Sequence, residues 1–278
     1  MQPREIVVVD HGDGESATVA QALGVTVIRN PANPGYGAGQ NLGVRLTESD
    51  YVILVNPDAV VVSAAVAAGL EVLDAEADVA AVQGVIWNRS TARPERSQGV
   101  SLGPMHLIGR SVGARRLLQF PLAQRVARRL PRFADHVDRI PERPVDVESL
   151  AAAAPLVRRS AFNAVGGFDE GYFLYGEDLD LSRRLREAGW RLVSLPDRWA
   201  VHASGASSAG WWERELVWWE GTLRYAALWW SAAEWGVALT ATLVRMVPLA
   251  LARPRRFPEL VHRLLLRPIR TRRKGRLA

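Results

Sequence analysis

Apolar residues in the first 200 positions come in short, unbroken runs separated by polar or glycine-rich turns. Residues 5–10, EIVVVD, form such a run ending in an acid, which predicts a buried parallel strand. A polar, glycine-rich HGDGES follows, then a short helix over 16–23 and a second strand, VTVIRN. PANPGYGAGQ reads as a Gly/Pro loop leading into a helix from Asn41 to Thr47. YVILVNPDAVV predicts a further buried strand that stops at a polar turn, followed by a helix over 63–75 and the strand VAAVQGVIW. After residue 150 the alternation resumes with a strand in LAAAAPLVRR, a helix starting at SAFNAVGG and the helix EDLDLSRRLREAG. A last strand, RLVSLP, precedes DRWAVHASG. Strands alternating with helices at this spacing predict an α/β fold with a largely parallel, Rossmann-like sheet. Such sheets bind ligands beyond the carboxyl ends of their strands, where Asp10, the loop 33–40 and Asp58 all fall.

Two regions depart from this rhythm. In residues 99–145, arginines such as Arg110, Arg115, Arg125 and Arg132 alternate with apolar residues, which suits a basic amphipathic insertion or a solvated cover for the sheet. Residues 235–252, WGVALTATLVRMVPLALA, are apolar but interrupted by Arg245 and Pro248, and read as an interfacial or packed helix rather than a span. The expected division is therefore a domain over 1–230 and an apolar, basic helical extension over 231–278.

Charge sharpens this division. The chain of 278 residues carries a net charge of +6, yet ten basic residues from Arg253 onward face only Glu259, so residues 1–252 are net negative. With tryptophans such as Trp211, Trp218, Trp229 and Trp235 just upstream, the basic tail suits an anionic membrane surface better than nucleic acid, which is not an expected partner. No cysteine is present, which excludes disulfides and thiolate metal ligands. The start, MQPREIVVVD, lacks the apolar core of a secretory signal.

Four clusters can carry chemistry. Asn56-Pro57-Asp58 closes a strand, where a carboxylate can hold a divalent cation or simply cap a turn. Gly35, Gly37 and Gly39 allow close backbone approach to an anion, but their spacing is neither a dinucleotide fingerprint nor a P-loop. His202 follows the last strand and gains meaning only if it converges with Asp58 on one ion. Gly176-Glu177-Asp178 enters a helix whose N-terminus favours carboxylates. Asp180 falls on another face, within reach of Arg183 or Arg184, which leaves one acid of the Glu177/Asp178 pair to act as a base.

In this order, VVVDHGDGES, NPGYGAGQNLG, LVNPDAVV, LVRRSAFNAVGGFDEGYFLYGEDLDLSRRLREAGW and the late histidine resemble the family 2 glycosyltransferases of GT-A fold, over about residues 5–230. Within that family they are most similar to bacterial rhamnosyltransferases of the actinobacterial cell-wall linker and surface polysaccharides. The resemblance implies an inverting transferase that uses a nucleotide-sugar donor (dTDP-rhamnose), a Mg²⁺ or Mn²⁺ ion and a lipid-linked glycan acceptor, and that sits peripherally on the cytoplasmic face of the cell membrane.

Residue by residue, the resemblance implies that Asp10 contacts the nucleobase and that Asn33, Gly35, Gly37 and Asn41 line the nucleotide site. Asp58 stands at the end of the family's Asp-x-Asp motif, with Asn56 in place of its first acid. His202 becomes a second metal ligand, and Asp178, beside Glu177, the general base, its pKa raised by aromatic neighbours. Two features differ from the family pattern. The chain begins at what looks like the family's second strand, and a Trp-x-Ser-Gly-Ala-like stretch reads VESLAAAAP here. A truncated, catalytically weak binding partner is the alternative reading.

Overall fold

The computed structural model describes residues 3–12, 14–95, 98–99, 102–113, 140–203 and 210–266. The chain forms two compact units. The first comprises residues 1–100, 138–173 and 177–207, and the second 101–137, 174–176 and 208–278. The expected division at residue 230 is not the one these units follow, because the helix before it groups with the helices after it.

In the first unit, β1 (Val7–Asp10), α1 (Glu15–Ala22) and β2 (Thr26–Arg29) form a βαβ turn whose strands pair in parallel. Next come α2 (Tyr36–Arg45), β3 (Tyr51–Ile53), β4 (Ala59–Val61), α3 (Ser63–Ala75) and β5 (Val79–Asn88). The short strands β6 (Gln98–Gly99), β7 (Val145–Asp146) and β8 (Ser149–Leu150) precede β9 (Leu156–Arg158) and α5 (Arg159–Ala164). The unit closes with α6 (Glu177–Glu187) and β10 (Arg191–His202).

The central sheet runs β3-β9-β5-β10-β4, with β7 also on β10, while β1 and β2 make a separate two-stranded sheet. Here the structure corrects the expectation of a largely parallel sheet. Only β5 and β10 pair in parallel in the six-stranded sheet; β9 runs antiparallel to both β3 and β5, and β4 and β7 run antiparallel to β10. For β4 on β10, two local breaks account for the difference. Asn56-Pro57-Asp58 ends β3 as expected and reverses the chain, the Ala59 amide donating to the Asn56 carbonyl at 3.0 Å, and a further short strand, β4, follows the turn. The late strand does not stop at Pro196. A register irregularity between Ser194 and Arg198 absorbs the proline, which has no N–H to give, and the strand resumes through Trp199 to His202.

β5 is buried along its first eight positions, as a central strand covered on both faces must be. Its side chains serve two cores. Ala81 joins Phe162, Phe168, Leu181 and Leu185 from α5, the following turn and α6. Val82 and Ile86 join Leu73 of α3 and Trp199. Trp199 is fully buried, donates its indole N–H to the Ala154 carbonyl at 2.6 Å and fills the space left by Gly69 and Gly84.

The second unit is helical: α4 (Pro104–Ser111), α7 (Trp211–Trp229), α8 (Ala232–Leu251), a short turn over Pro254–Arg256, α9 (Phe257–Leu260) and a wide turn over Val261–Leu266. Leu107, Trp219, Leu223, Met246, Leu260 and Leu264 make its core. Ser231 and Glu234 form a reciprocal cap at the start of α8. Among the described residues α8 alone is long and apolar enough to cross a membrane, by length and composition. Its Arg245 donates to Glu215 of α7 at 3.0 Å. Arg110 of the expected basic insertion also meets Glu215, at 2.9 Å, and stacks on Trp218. The other arginines named in that insertion, and the tail from residue 267, lie outside the described residues.

Candidate active site

Asp10 ends β1, buried, with one carboxylate oxygen accepting from the Gly12 amide at 2.9 Å and the other facing the Arg29 guanidinium at 3.3 Å. The neighbouring His11 was not anticipated. Its Nδ1 lies 2.8 Å from the Asn30 carbonyl, and its Nε2 is buried without a hydrogen-bond partner. Donation from Nδ1 to that carbonyl leaves Nε2 as an acceptor. Asn33 is an exposed residue with φ of 42° in the turn that leads to α2.

Helix α2 begins five residues earlier than expected, so Gly37 and Gly39 belong to its first turns and not to a loop. Glycine is a poor helix former, and packing explains its use here. A Cβ on Gly35 (φ 117°) would strike the Phe173 carbonyl, one on Gly37 would lie 2.8 Å from Phe168 Cβ, and one on Gly39 would lie 2.5 Å from His11 Nε2. The room these glycines leave is thus filled by the chain's own atoms. Asn41, expected to line a nucleotide site, is buried and clamps the acidic turn. Its amide nitrogen donates to the Phe168 carbonyl at 2.9 Å and to Glu170 at 3.0 Å, and its oxygen accepts from the Phe168 amide at 2.8 Å.

The clamp sets the entry to α6, which Tyr175 (φ 67°) and Gly176 (φ 94°) approach in left-handed conformations. Three acids occupy the first turn of α6, and each meets a different fate. Asp180 is buried and paired with Arg184 at 2.7 Å. Asp178 is half-buried, one oxygen accepting from the Leu179 amide at 2.8 Å. Glu177 is 4% exposed, and its Oε2 has no hydrogen-bond partner. Burial first, and the adjacent Asp178 charge second, raise the Glu177 carboxyl to about 8. The main cause of the rise at Glu177 is desolvation. Tyr36, at the start of α2, feels the same acids. Burial and the charges of Glu177 and Asp178 push its phenol well above the ordinary value, while its hydroxyl donates to the Ala152 carbonyl at 2.5 Å.

The second cluster forms where β4 and β10 lie antiparallel with His202 opposite Ala59. His202 Nε2 stands 2.9 Å from Asp58 Oδ1 and 3.4 Å from the Asn56 amide nitrogen, and its Nδ1 stands 3.2 Å from Glu95. The Asn56 side-chain oxygen is buried without a partner. Asp58 and His202, separate in sequence, therefore converge as the metal reading requires. The donor set fits a divalent cation: a carboxylate and an imidazole about 3 Å apart match neighbouring ligands each about 2.1 Å from one ion, and the orphaned Asn56 oxygen adds a neutral donor. No cluster of three His, Asp or Glu ligands exists among the described residues. A cation here would complete its shell with phosphate oxygens and water, as Mg²⁺ commonly does.

The segment 151–155 lies beside residues that border both clusters. The Ala152 carbonyl accepts from Tyr36, the Ala153 carbonyl from the Asn56 amide, and the Pro155 carbonyl from the Leu54 amide. The Tyr36 hydroxyl and the Asn56 backbone amide are thus held by adjacent peptide groups. Tyr36 and Glu95 escaped the sequence reading. Tyr36 stands inside the quoted glycine stretch, and Glu95 follows the carboxyl end of β5, where strand-end logic points.

A mixed sheet of this order between helices is an α/β architecture, and the comparisons with known proteins identify it as the GT-A glycosyltransferase fold. The chain matches the family described as Glycosyltransferase like family 2 over residues 3–221 and belongs to it; it is a glycosyltransferase. Among its relatives is the N-acetylglucosaminyl-diphospho-decaprenol L-rhamnosyltransferase of Mycobacterium tuberculosis, 30% identical over 268 residues, covering 78% of this chain and 80% of that protein. The rhamnosyltransferase WbbL of Escherichia coli K12 is 27% identical over 201 residues, covering 69% of this chain and 70% of that protein. A crystal structure of GalNAc-T7 with UDP, GalNAc and Mn²⁺ shares the fold at a TM-score of 0.52 and 16% identity, over 83% of this chain and 44% of that one.

Proposed function

We propose that this glycosyltransferase moves L-rhamnose from dTDP-rhamnose, with inversion, to a polyprenyl-diphosphate-linked or polysaccharide acceptor in cell-envelope synthesis. It works peripherally at the cytoplasmic face of the membrane, held to anionic lipid by its basic C-terminal tail. The observation that carries the reading is the convergence of Asp58 and His202, 144 residues apart in sequence, to 2.9 Å at the paired ends of β4 and β10.

In this reading Asp178 takes the proton of the acceptor hydroxyl. The oxygen bonds to the anomeric carbon from the face opposite the nucleotide, and the bond from that carbon to the phosphate oxygen breaks, its electron pair leaving with the nucleoside diphosphate. Glu177, protonated at neutral pH, keeps negative charge beside Asp178 to one unit. Asp10, Asn33, Gly35 and Gly37 lie on the side of the donor, and Asn41 supports them by fixing the acidic turn. Asp58, His202 and Asn56 would hold a Mg²⁺ or Mn²⁺ ion, which supplies countercharge to the departing diphosphate.

The test is transfer of labelled rhamnose from dTDP-rhamnose to a polyprenyl-diphosphate-linked N-acetylglucosamine, with Mg²⁺ or Mn²⁺. The D178N variant is expected to lose roughly 10²- to 10⁴-fold in rate with its melting curve intact. Full activity in D178N would remove the base assignment. Nucleotide binding without transfer to any acceptor would favour the binding-partner reading.

A further inference from the structure

The His202 ring is approached from both sides, and only one side belongs to the cation reading. On the other, Nδ1 faces Glu95 Oε2 at 3.2 Å. Glu95 is itself held on three counts. Its Oε1 accepts from the Asn88 side-chain amide at 2.6 Å, and its backbone N–H donates to the Ile86 carbonyl at 2.7 Å. The preceding Pro94 bridges to Trp87.

Asn88 cannot turn its amide around, because its Oδ1 already accepts from the Ser90 and Thr91 amides at 2.9 and 2.8 Å and from the Ser90 hydroxyl at 2.7 Å. The loop is pinned to the histidine's own strand as well: Asn88 stands in register with His202, and the Arg89 amide donates to the His202 carbonyl at 2.9 Å. The carboxylate is therefore placed by a rigid frame, only 24% exposed, with one oxygen for Asn88 and one for the histidine.

We infer that Glu95 is a positioning residue for His202, accepting the Nδ1 proton so that Nε2 presents its lone pair, beside Asp58 Oδ1, to a divalent cation. An imidazole whose second nitrogen donates to a carboxylate has its tautomer and ring plane fixed and is a more basic ligand. Without Glu95, His202 can place its proton on Nε2, pair with Asp58 and close the site against the ion. The inference rests on the cation reading of Asp58 and His202 given above.

The test uses the full chain with Mn²⁺ and dTDP as probes. Affinity for Mn²⁺ is measured by titration calorimetry, and nitrogen ligation by pulsed electron paramagnetic resonance, in which a coordinated imidazole modulates the Mn²⁺ echo. E95A is expected to weaken Mn²⁺ binding roughly 10- to 100-fold and to lose most of the nitrogen modulation. E95Q, of the same size, keeps an acceptor but not the charge and should fall between, with a melting temperature near wild type. H202A sets the zero of the nitrogen signal. A strong nitrogen signal in wild type that survives unchanged in both Glu95 variants, with unchanged affinity, overturns the role of Glu95 alone. No nitrogen signal in wild type overturns His202 as a ligand, and Glu95 with it.

Discussion

Two glutamates, one in each compact unit, are almost equally hidden from water and are treated in opposite ways. Glu215 of the helical unit is 6% exposed and meets Arg110 at 2.9 Å, Arg245 at 3.0 Å and the Trp219 indole N–H at 3.2 Å. Glu177 of the sheet unit is 4% exposed, has Asp178 as its neighbour and leaves Oε2 without a partner. Burial of a carboxylate is costly in both places. Glu215 offsets that cost with charge, so it is built to hold α4, α7 and α8 together. Glu177 offsets it by keeping a proton, and it takes no part in holding charged elements of the fold together. An unpaired acid in a dry place marks the reactive region more clearly than the number of acids does.

The largest effect that could break this contrast is in the pH dependence of stability. With its carboxyl raised from 4.5 to about 8 in the folded state, Glu177 keeps a proton that the unfolded chain releases. Unfolding is therefore favoured as pH rises through that window, by about 5 kcal/mol in all, and the penalty levels off above the folded value. E177Q should remove this loss and be the more stable protein at pH 8.5, as read by urea titration across pH 5 to 9. An unchanged slope in E177Q would mean that Glu177 is not the protonated group.

The same substitution at the other glutamate should act with the opposite sign. E215Q should cost about 2 kcal/mol at all pH values from 6 to 9, less than a fully buried triad, because 34% and 30% of the two arginine side chains still meet water. R245M, which keeps the apolar stem and leaves Glu215 with Arg110, should cost about 1 kcal/mol. Smallest is S231A, which removes one half of the α8 cap and should lower stability by about 0.5–1 kcal/mol. Differential scanning calorimetry resolves these steps, since 1 kcal/mol moves the melting point by about 2–4 °C in a chain of this size.

Elements whose signal is local were legible in the sequence. Helix α3 spans Ser63–Ala75 as its pattern predicts, and the unbroken apolar run of β5 identifies a strand covered on both faces. The acids at strand ends likewise pointed to the site, because a carboxylate after an apolar run has few structural uses. The pairing of strands was not legible. β9 enters between β3 and β5 from far along the chain, and nothing in Leu156–Arg158 alone records that it runs antiparallel to both. The early start of α2 was hidden too, because Gly37 and Gly39 argue against a helix until Phe168 and His11 are seen to fill the space beside them. Asn41 was singled out, yet its partners in 168–170 lie more than 120 residues away, so its clamping role could not be read. Glu95 went unnoticed for a similar reason: its meaning depends on His202, 107 residues later.

The placement of β5 also has a consequence for how the protein is made. Its eight buried positions are covered by β9 and β10, and β10 is complete only at His202. A ribosome adding about 5–20 residues per second leaves this apolar strand without its neighbours for several seconds or more. The helical unit waits as well, since α4 finds Glu215 only after the sheet unit's last strand has been synthesised. Neither unit can therefore finish folding while the first 200 residues emerge. For 114 of the 278 residues, from Asn88 to His202, the nascent chain carries an exposed, β-prone segment, and its folding in cells should benefit from chaperones that bind such segments.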